Sequence, residues 1–288
     1  MEIQRHEGMN PERRQRDEYS DRQVEAAHRV LVDVGQVLAS FVDCLVVIGG
    51  WIPDLLIPDA KEPHMGSIDV DLALDATKLN EGRYAELLKL LLDTKRYKTG
   101  AKDFQLVVEV DLEDGEEPVQ VEVEFLAPKE VKLRKNKPKL LADFRVLQAD
   151  GCGVAFRAPV EQTLSGRNVR GAKNAVRLRI ASMADFLVMK AYAIHGREKP
   201  KDSYDLCYCL EYFPGGIEQL AADWKKRAGE KDVIRAIEIL LEKFAATDAF
   251  GPQQVVEFHN SPAEDEQERQ ARRAYELVQK FLRLIECP

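Results

Sequence analysis

No apolar run in the chain approaches the roughly 20 residues that a bilayer-spanning helix needs, and the N-terminal stretch MEIQRHEGMNPERRQRDEYSD lacks the apolar segment of a secretory signal. No membrane association is therefore expected, and the expected compartment is the cytoplasm. Cysteine is scarce: Cys44, Cys152, Cys207, Cys209 and Cys287 are odd in number and show no C-x-x-C spacing, which argues against both a zinc site and a disulfide framework. Free thiols in or near cores are expected instead. Internal repeats and low-complexity tracts are also missing. What remains is a soluble-globular balance, 45% hydrophobic and 32% charged. At 288 residues the chain is long enough for one large or two ordinary domains, so core size imposes no limit.

The net charge of −8 is unevenly placed. Between Lys129 and Lys201 there are 17 Lys/Arg against 6 Asp/Glu, a balance of +11 that leaves −19 for the rest. The densest part is Lys132-Leu133-Arg134-Lys135-Asn136-Lys137-Pro138-Lys139. A basic middle in an acidic chain points to a polyanionic partner on one face, against the simpler reading of solvated surface lysines.

The chemistry concentrates in Ile68-Asp69-Val70-Asp71-Leu72. On an alternating strand Asp69 and Asp71 leave the same face while their apolar neighbours leave the other. Two carboxylates held this way repel each other, and hard oxygen ligands at this spacing suit Mg²⁺, which binds one or two carboxylates plus substrate phosphates. Some twenty residues earlier, Cys44-Leu45-Val46-Val47-Ile48 reads as a short buried strand ended by Gly49-Gly50. Glycines at such a strand-to-helix turn let backbone N–H groups approach a phosphate. A metal pair and a phosphate cradle on adjacent strands make a nucleotide site.

Around this centre the chain reads in order. Ser20 opens a capping box into an amphipathic helix reaching about Phe41, a short helix covers 51–57, and the D-x-D strand spans 67–74 after a loop carrying His64, which is expected to be incidental. Residues 79–92 read as a helix, and 104–112 and 119–126 as strands of a hairpin whose second strand puts Glu122 and Glu124 on one face. One of these glutamates is the natural third carboxylate. Strand-like pieces lined by Arg167, Arg170, Lys173, Arg177 and Arg179 follow without a legible topology. Ser182 to Asp185 is a second capping box, opening an apolar helix that contains Lys190, and another helix starts near Asp202. Three helices are legible beyond Pro214, with Thr247–Glu268 expected as a mobile loop between the last two.

The Gly49-Gly50 turn followed by Ser67 and Asp69-Val70-Asp71 resembles the signature of the polymerase-beta-like nucleotidyltransferase superfamily. Lys190, Arg197, Lys199, Lys201, Asp202, Tyr204, Asp205 and Leu206 then resemble the second motif of the AbiEii-type nucleotidyltransferase toxins, a resemblance covering about residues 40–212. It implies an α/β (α+β) fold: a flexible segment over 1–19, a nucleotidyltransferase core with a mixed sheet over 20–181, and a helical domain over 182–288 completing the active site. It implies transfer of a nucleoside monophosphate from an NTP, with pyrophosphate leaving. Asp69 and Asp71 would bind two Mg²⁺ ions. Glu124 would complete the metal site and act as base, favoured over Glu122 because Glu124-Phe125-Leu126-Ala127-Pro128 has the form acid, apolar, Leu, small, Pro. Gly49, Gly50 and Ser67 would hold the β- and γ-phosphates, with Lys190, Arg197 and Lys199 also at the nucleotide. Lys190 would balance charge as pyrophosphate leaves, and Asp202 would orient Lys190 or a residue of the basic loop. Members of the group modify RNA, in some cases the 3′ end of tRNA, as toxins of toxin–antitoxin pairs, so the expected partners are an NTP, an RNA acceptor and an antitoxin. Two other classes share the core: a transferase for a small molecule such as an aminoglycoside, and a non-catalytic regulatory protein.

Overall fold

A computed structural model describes residues 13–75, 77–79, 81–129 and 146–286. Residues 1–12, the basic run at 132–139 and Cys287 lie outside the described residues. Helix α1 (Asp21–Val37) starts as its capping box requires, the Ser20 side chain accepting from the Gln23 N–H. It stops at Val37 rather than near Phe41, because the chain tightens there into a 3-10 turn over Ala39–Cys44. Strand β1 (Leu45–Ile48) and the short helix α2 (Trp51–Leu56) follow, then β2 (Asp69–Leu74), α3 (Glu81–Asp93), β3 (Lys98–Thr99), β4 (Gln105–Val110), β5 (Val119–Pro128), β6 (Leu147–Ala149), β7 (Val160–Arg167) and β8 (Lys173–Ile180). The rest is helical: α4 (Met183–Gly196), α5 (Pro200–Tyr212), α6 (Gly216–Lys226), α7 (Lys231–Lys243), α8 (Phe250–His259) and α9 (Glu264–Glu286).

The strands form one mixed sheet in the order β3-β4-β5-β2-β1-β8-β7, with β6 on the end of β5. β2 runs antiparallel to β1 and parallel to β5. One face is apolar. Val47, Val70, Leu72, Val121, Val123 and Phe125 are buried, and α1 covers that face with Ala27, Val30, Leu31 and Val34. A Cβ on Gly35 of α1 would come within 2.9 Å of both Leu178 and Val176, so helix and sheet meet at backbone distance there. The opposite face holds the acids: Asp71 pairs in register with Ile48 and Glu124, and Asp69 with Glu122.

The expected mobile loop at 247–268 is corrected by the structure. It contains α8, and α9 begins inside its acidic stretch at Glu264. Gly251 and Pro252 look like breakers, but they stand in the first turn of α8, where a missing N–H costs nothing. The acids Glu264, Asp265 and Glu266 open α9, where the helix dipole favours negative charge. Fully buried Trp224, Phe244, Phe258 and Phe281 form the centre of the helical part.

Candidate active site

β1 delivers the chain to Gly49, whose φ of 75° is a conformation L side chains rarely adopt. A Cβ there would fall 2.0 Å from Asp71 Oδ2, and one on Gly50 would fall 2.8 Å from Ser67 Oγ and 3.0 Å from Lys201 Nζ. The two glycines thus bring bare backbone against a carboxylate, a hydroxyl and an ammonium. The α2 helix behind them has only six residues, so what it offers a ligand is chiefly the N–H groups of its first turn. Trp51 Nε1 donates to the Asp69 carbonyl at 2.7 Å, fixing the start of β2 against that turn.

The two aspartates differ in environment. The Ser67 hydroxyl donates to Asp69 Oδ1 at 2.6 Å, and Lys199 Nζ stands 4.0 Å from Asp69 Oδ2. Burial works against ionisation, but Lys199, the Ser67 hydroxyl, Lys201 and Arg197 outweigh it and hold the Asp69 carboxyl below its ordinary value. At Asp71 burial acts together with the neighbouring Asp69 and Glu124 charges and pushes the carboxyl well above the usual range. Glu124 accepts from Lys102 Nζ at 2.9 Å and from Gln105 Nε2 at 3.1 Å. The same Gln105 amide donates to Glu122 Oε2 at 2.6 Å, tying both glutamates to β4. Among the described residues no group of three or more His, Cys, Asp and Glu is placed to hold a metal ion. The chemistry of the donor set nonetheless fits a divalent cation completed by substrate oxygens: Asp69 and Asp71 are hard ligands on one face, and the repulsion that raises Asp71 is what a cation would relieve.

On the facing helices the lysines are organised by aspartates. Lys190 Nζ lies 2.7 Å from Asp202 Oδ1 and 2.7 Å from Asp205 Oδ2. Arg197 grips Asp202 with Nε at 2.7 Å and Nη2 at 3.1 Å, and Lys201 Nζ donates to Asp205 Oδ1 at 2.8 Å. Helix α5 starts slightly before Asp202. Lys199 is the N-cap of α5 and Pro200 its first residue, which puts the Asp202 carboxylate in the first turn, aimed at α4. Burial disfavours charge on both acids, yet Lys190 with Arg197 holds the Asp202 carboxyl down, and Lys190 with Lys201 holds down that of Asp205. Burial and the adjacent Lys190 and Lys199 depress Lys201 against the pull of Asp205.

His64 is a working part of this network. Gly66 N–H donates to its Nδ1 at 3.1 Å, so Nε2 carries the proton and donates to Asp205 Oδ1 at 2.9 Å. Burial and Lys201 push the imidazole down to about 4, which keeps it neutral.

The structure therefore brings Gly49, Gly50, Ser67, Asp69, Asp71 and Lys199 together, sets Glu124 beside Asp71, and holds Lys190, Arg197 and Asp202 as one ion cluster. Lys201 and Asp205 stand in the motif quoted from the sequence without an assigned role, although their i, i+4 spacing on one helix face was the available signal. Tyr19, which closes in on Lys201, carries no sequence signal at all.

Residues 66–282 match the family model described as "Nucleotidyl transferase AbiEii toxin, Type IV TA system". The solved structure of an antigenic nucleotidyltransferase-like protein from Paracoccidioides brasiliensis aligns at 17% identity over 78% of this chain and 89% of that one, with a TM-score of 0.41. No curated protein matches the chain.

Proposed function

This chain belongs to the AbiEii nucleotidyltransferase toxin family of type IV toxin–antitoxin systems, and on that premise we propose that it moves a nucleoside monophosphate from an NTP to a hydroxyl of RNA, the 3′ end of tRNA being the leading candidate, with Mg²⁺ as the metal. The observation that carries this reading is the meeting of the Gly49-Gly50 turn, Ser67 and the Asp69/Asp71 pair with Lys199 and Lys201 from the helical side. Asp69 and Asp71 would hold the metal, which when bound supplies charge neutralisation and Lewis acidity at the transferring phosphorus.

The chain's own residues account for the rest. Backbone N–H groups at the glycine turn and the Ser67 hydroxyl bind the terminal phosphates, and Lys199 and Lys201 neutralise the charge that grows as pyrophosphate leaves. Asp202 and Asp205 position that basic set through Arg197, Lys190 and Lys201. Lys190, bracketed by two carboxylates at 2.7 Å, contributes charge chiefly through them. Glu124, the register neighbour of Asp71, accepts the proton of the attacking hydroxyl. An antitoxin partner follows from family membership. No described helix is long and apolar enough to cross a membrane.

The test is incubation with each radiolabelled NTP, Mg²⁺ and total cellular RNA, followed by electrophoresis. Label from one NTP should enter a discrete RNA band with the wild-type protein and not with Asp69→Ala or Asp71→Ala. Label entering no RNA species, or entering equally with both variants, removes the reading.

A further inference from the structure

Residues 13–19 cross the rim of the site before α1 begins. Arg14 Nε pairs with Glu257 Oε1 of α8 at 2.5 Å, and its Nη1 donates to the Glu198 carbonyl at 3.2 Å, directly before Lys199. Gln15 Oε1 accepts from Asn260 Nδ2 at 2.9 Å. A 3-10 turn over Arg16–Glu18 follows, with Tyr19 as its C-cap.

The ring of Tyr19 is fully accounted for. It is 8% exposed, meets Phe258 edge-on at 6.0 Å between centroids, and has Arg13 and Lys201 against it at 5.9 and 5.8 Å. The hydroxyl is not: it is buried and finds no hydrogen-bond partner among the described residues. Such a group is costly to leave unmatched, and native structures keep it where something completes it. Its surroundings say what that is. Lys201, which lies against the ring, also stands 3.0 Å from the position a Cβ on Gly50 would take, so one lysine joins the phenol to the glycine turn. Burial, followed by the charges of Asp69 and Asp205, pushes the phenol well above its ordinary value, so it remains a neutral donor. A neutral donor beside the lysine that reaches the glycine turn suits a ligand rich in acceptor oxygens.

We propose that the Tyr19 hydroxyl is a substrate-binding group that donates a hydrogen bond to an oxygen of the bound nucleoside triphosphate, and that residues 13–19 are the strap that holds it there. This rests on the NTP reading given above and deepens it. It also gives the N-terminal strap a function that the D-x-D and K-D-x-Y-D motifs do not contain.

The variant that isolates the hydroxyl is Tyr19→Phe, which keeps the ring against Phe258, Arg13 and Lys201. Calorimetric binding of each of the four NTPs in Mg²⁺ is measured with thermal melting in the presence and absence of nucleotide. The ligand-free variant should melt at or above the wild-type temperature, since an unmatched buried hydroxyl has been removed. Its affinity for the preferred NTP should fall at least about tenfold, the lower end of what one hydrogen bond to a charged acceptor is worth, and the nucleotide-induced rise in Tm should shrink accordingly. An unchanged dissociation constant overturns the inference, as does a fall in ligand-free Tm with binding intact, because the hydroxyl then serves the fold. If the wild-type protein binds none of the four NTPs, the nucleotide site itself falls and this inference with it; wild-type binding with an unaffected variant removes the inference alone.

Discussion

Asp69 and Asp71 leave the same strand face, yet their surroundings set them to opposite electrostatic tasks. Asp69 is stabilised as an anion by Lys199, Ser67, Lys201 and Arg197 against the pull of burial, whereas burial, Asp69 and Glu124 all oppose ionisation at Asp71. A carboxyl raised in the folded state contributes stability that is complete below its unfolded value near 4 and is lost as pH rises through the raised folded value. Asp71→Asn should therefore raise the Tm of the metal-free protein at pH 8 while abolishing nucleotide transfer. The gain should vanish as pH falls toward 4. Asp69 has the opposite sign: its contribution is present above the unfolded value and is lost as pH falls, so Asp69→Asn should lower Tm at pH 8. Melting curves across pH in chelator decide both. The pair itself was legible in the sequence because an i, i+2 spacing on a strand fixes a common face. Its asymmetry was not, since it comes from a lysine about 130 positions away and from a glutamate brought alongside by strand pairing. The choice between Glu122 and Glu124 was likewise a matter of register: Asp71 sits opposite Glu124 and Asp69 opposite Glu122.

The pairing of α4 with α5 depends on buried charge. Lys190 reaches from α4 to Asp202 and Asp205 on α5, and its side chain is 9% exposed. The sequence expectation gave this lysine the charge of departing pyrophosphate, an assignment that competes with the two carboxylates already at 2.7 Å. Removing one partner of a buried ion pair costs about 3–5 kcal/mol because the other charge is left behind. Asp202 keeps Arg197 and Asp205 keeps Lys201 and His64, so Lys190→Met should fall at the lower end, about 3 kcal/mol in urea unfolding, and should lose transfer as well. Lys199→Met should also lose transfer but destabilise less than Lys190→Met, because Lys199 stands 4.0 Å from one carboxylate, that of Asp69, whereas Lys190 has two at 2.7 Å. Equal destabilisation by both would show that the two lysines serve the same structural end. Elements with one clean periodicity, such as α1, β2 and β5, could be read directly from the sequence. The β7–β8 hairpin could not, because on its outward face Arg167 and Thr163 are paired with Lys173 and Arg177, and apolar alternation survives only at Leu164, Val176, Leu178 and Ile180. Helix α8 was hidden by Gly251 and Pro252 in its first turn.

At the scale of the molecule the question is what the acceptor meets. A net charge of −8 should repel RNA, and although the balance between Lys129 and Lys201 is +11, Lys190, Arg197 and Lys201 are already paired with Asp202 and Asp205, so attraction falls to the basic residues of that stretch outside the cluster. Two parts of that stretch can be separated. The run Lys132, Arg134, Lys135 and Lys137 lies outside the described residues, whereas Arg167, Lys173 and Arg177 lie exposed on the outward face of the β7–β8 hairpin. Pairing with RNA phosphates releases counterions, so affinity should fall steeply between about 50 and 200 mM salt, with a log–log slope near −0.7 per neutralised phosphate on a single strand. Changing the four residues of the run to Gln should make that slope shallower by roughly 0.7 for each phosphate that is no longer neutralised and should weaken transfer to RNA in proportion. The same measurement on Arg167→Gln, Lys173→Gln and Arg177→Gln together tells whether the hairpin shares the footprint. A polycationic small-molecule acceptor predicts the reverse, since removing cations would strengthen its binding. A flat salt response in the wild-type protein would return both basic segments to solvated surface and move the small-molecule transferase ahead of the RNA reading.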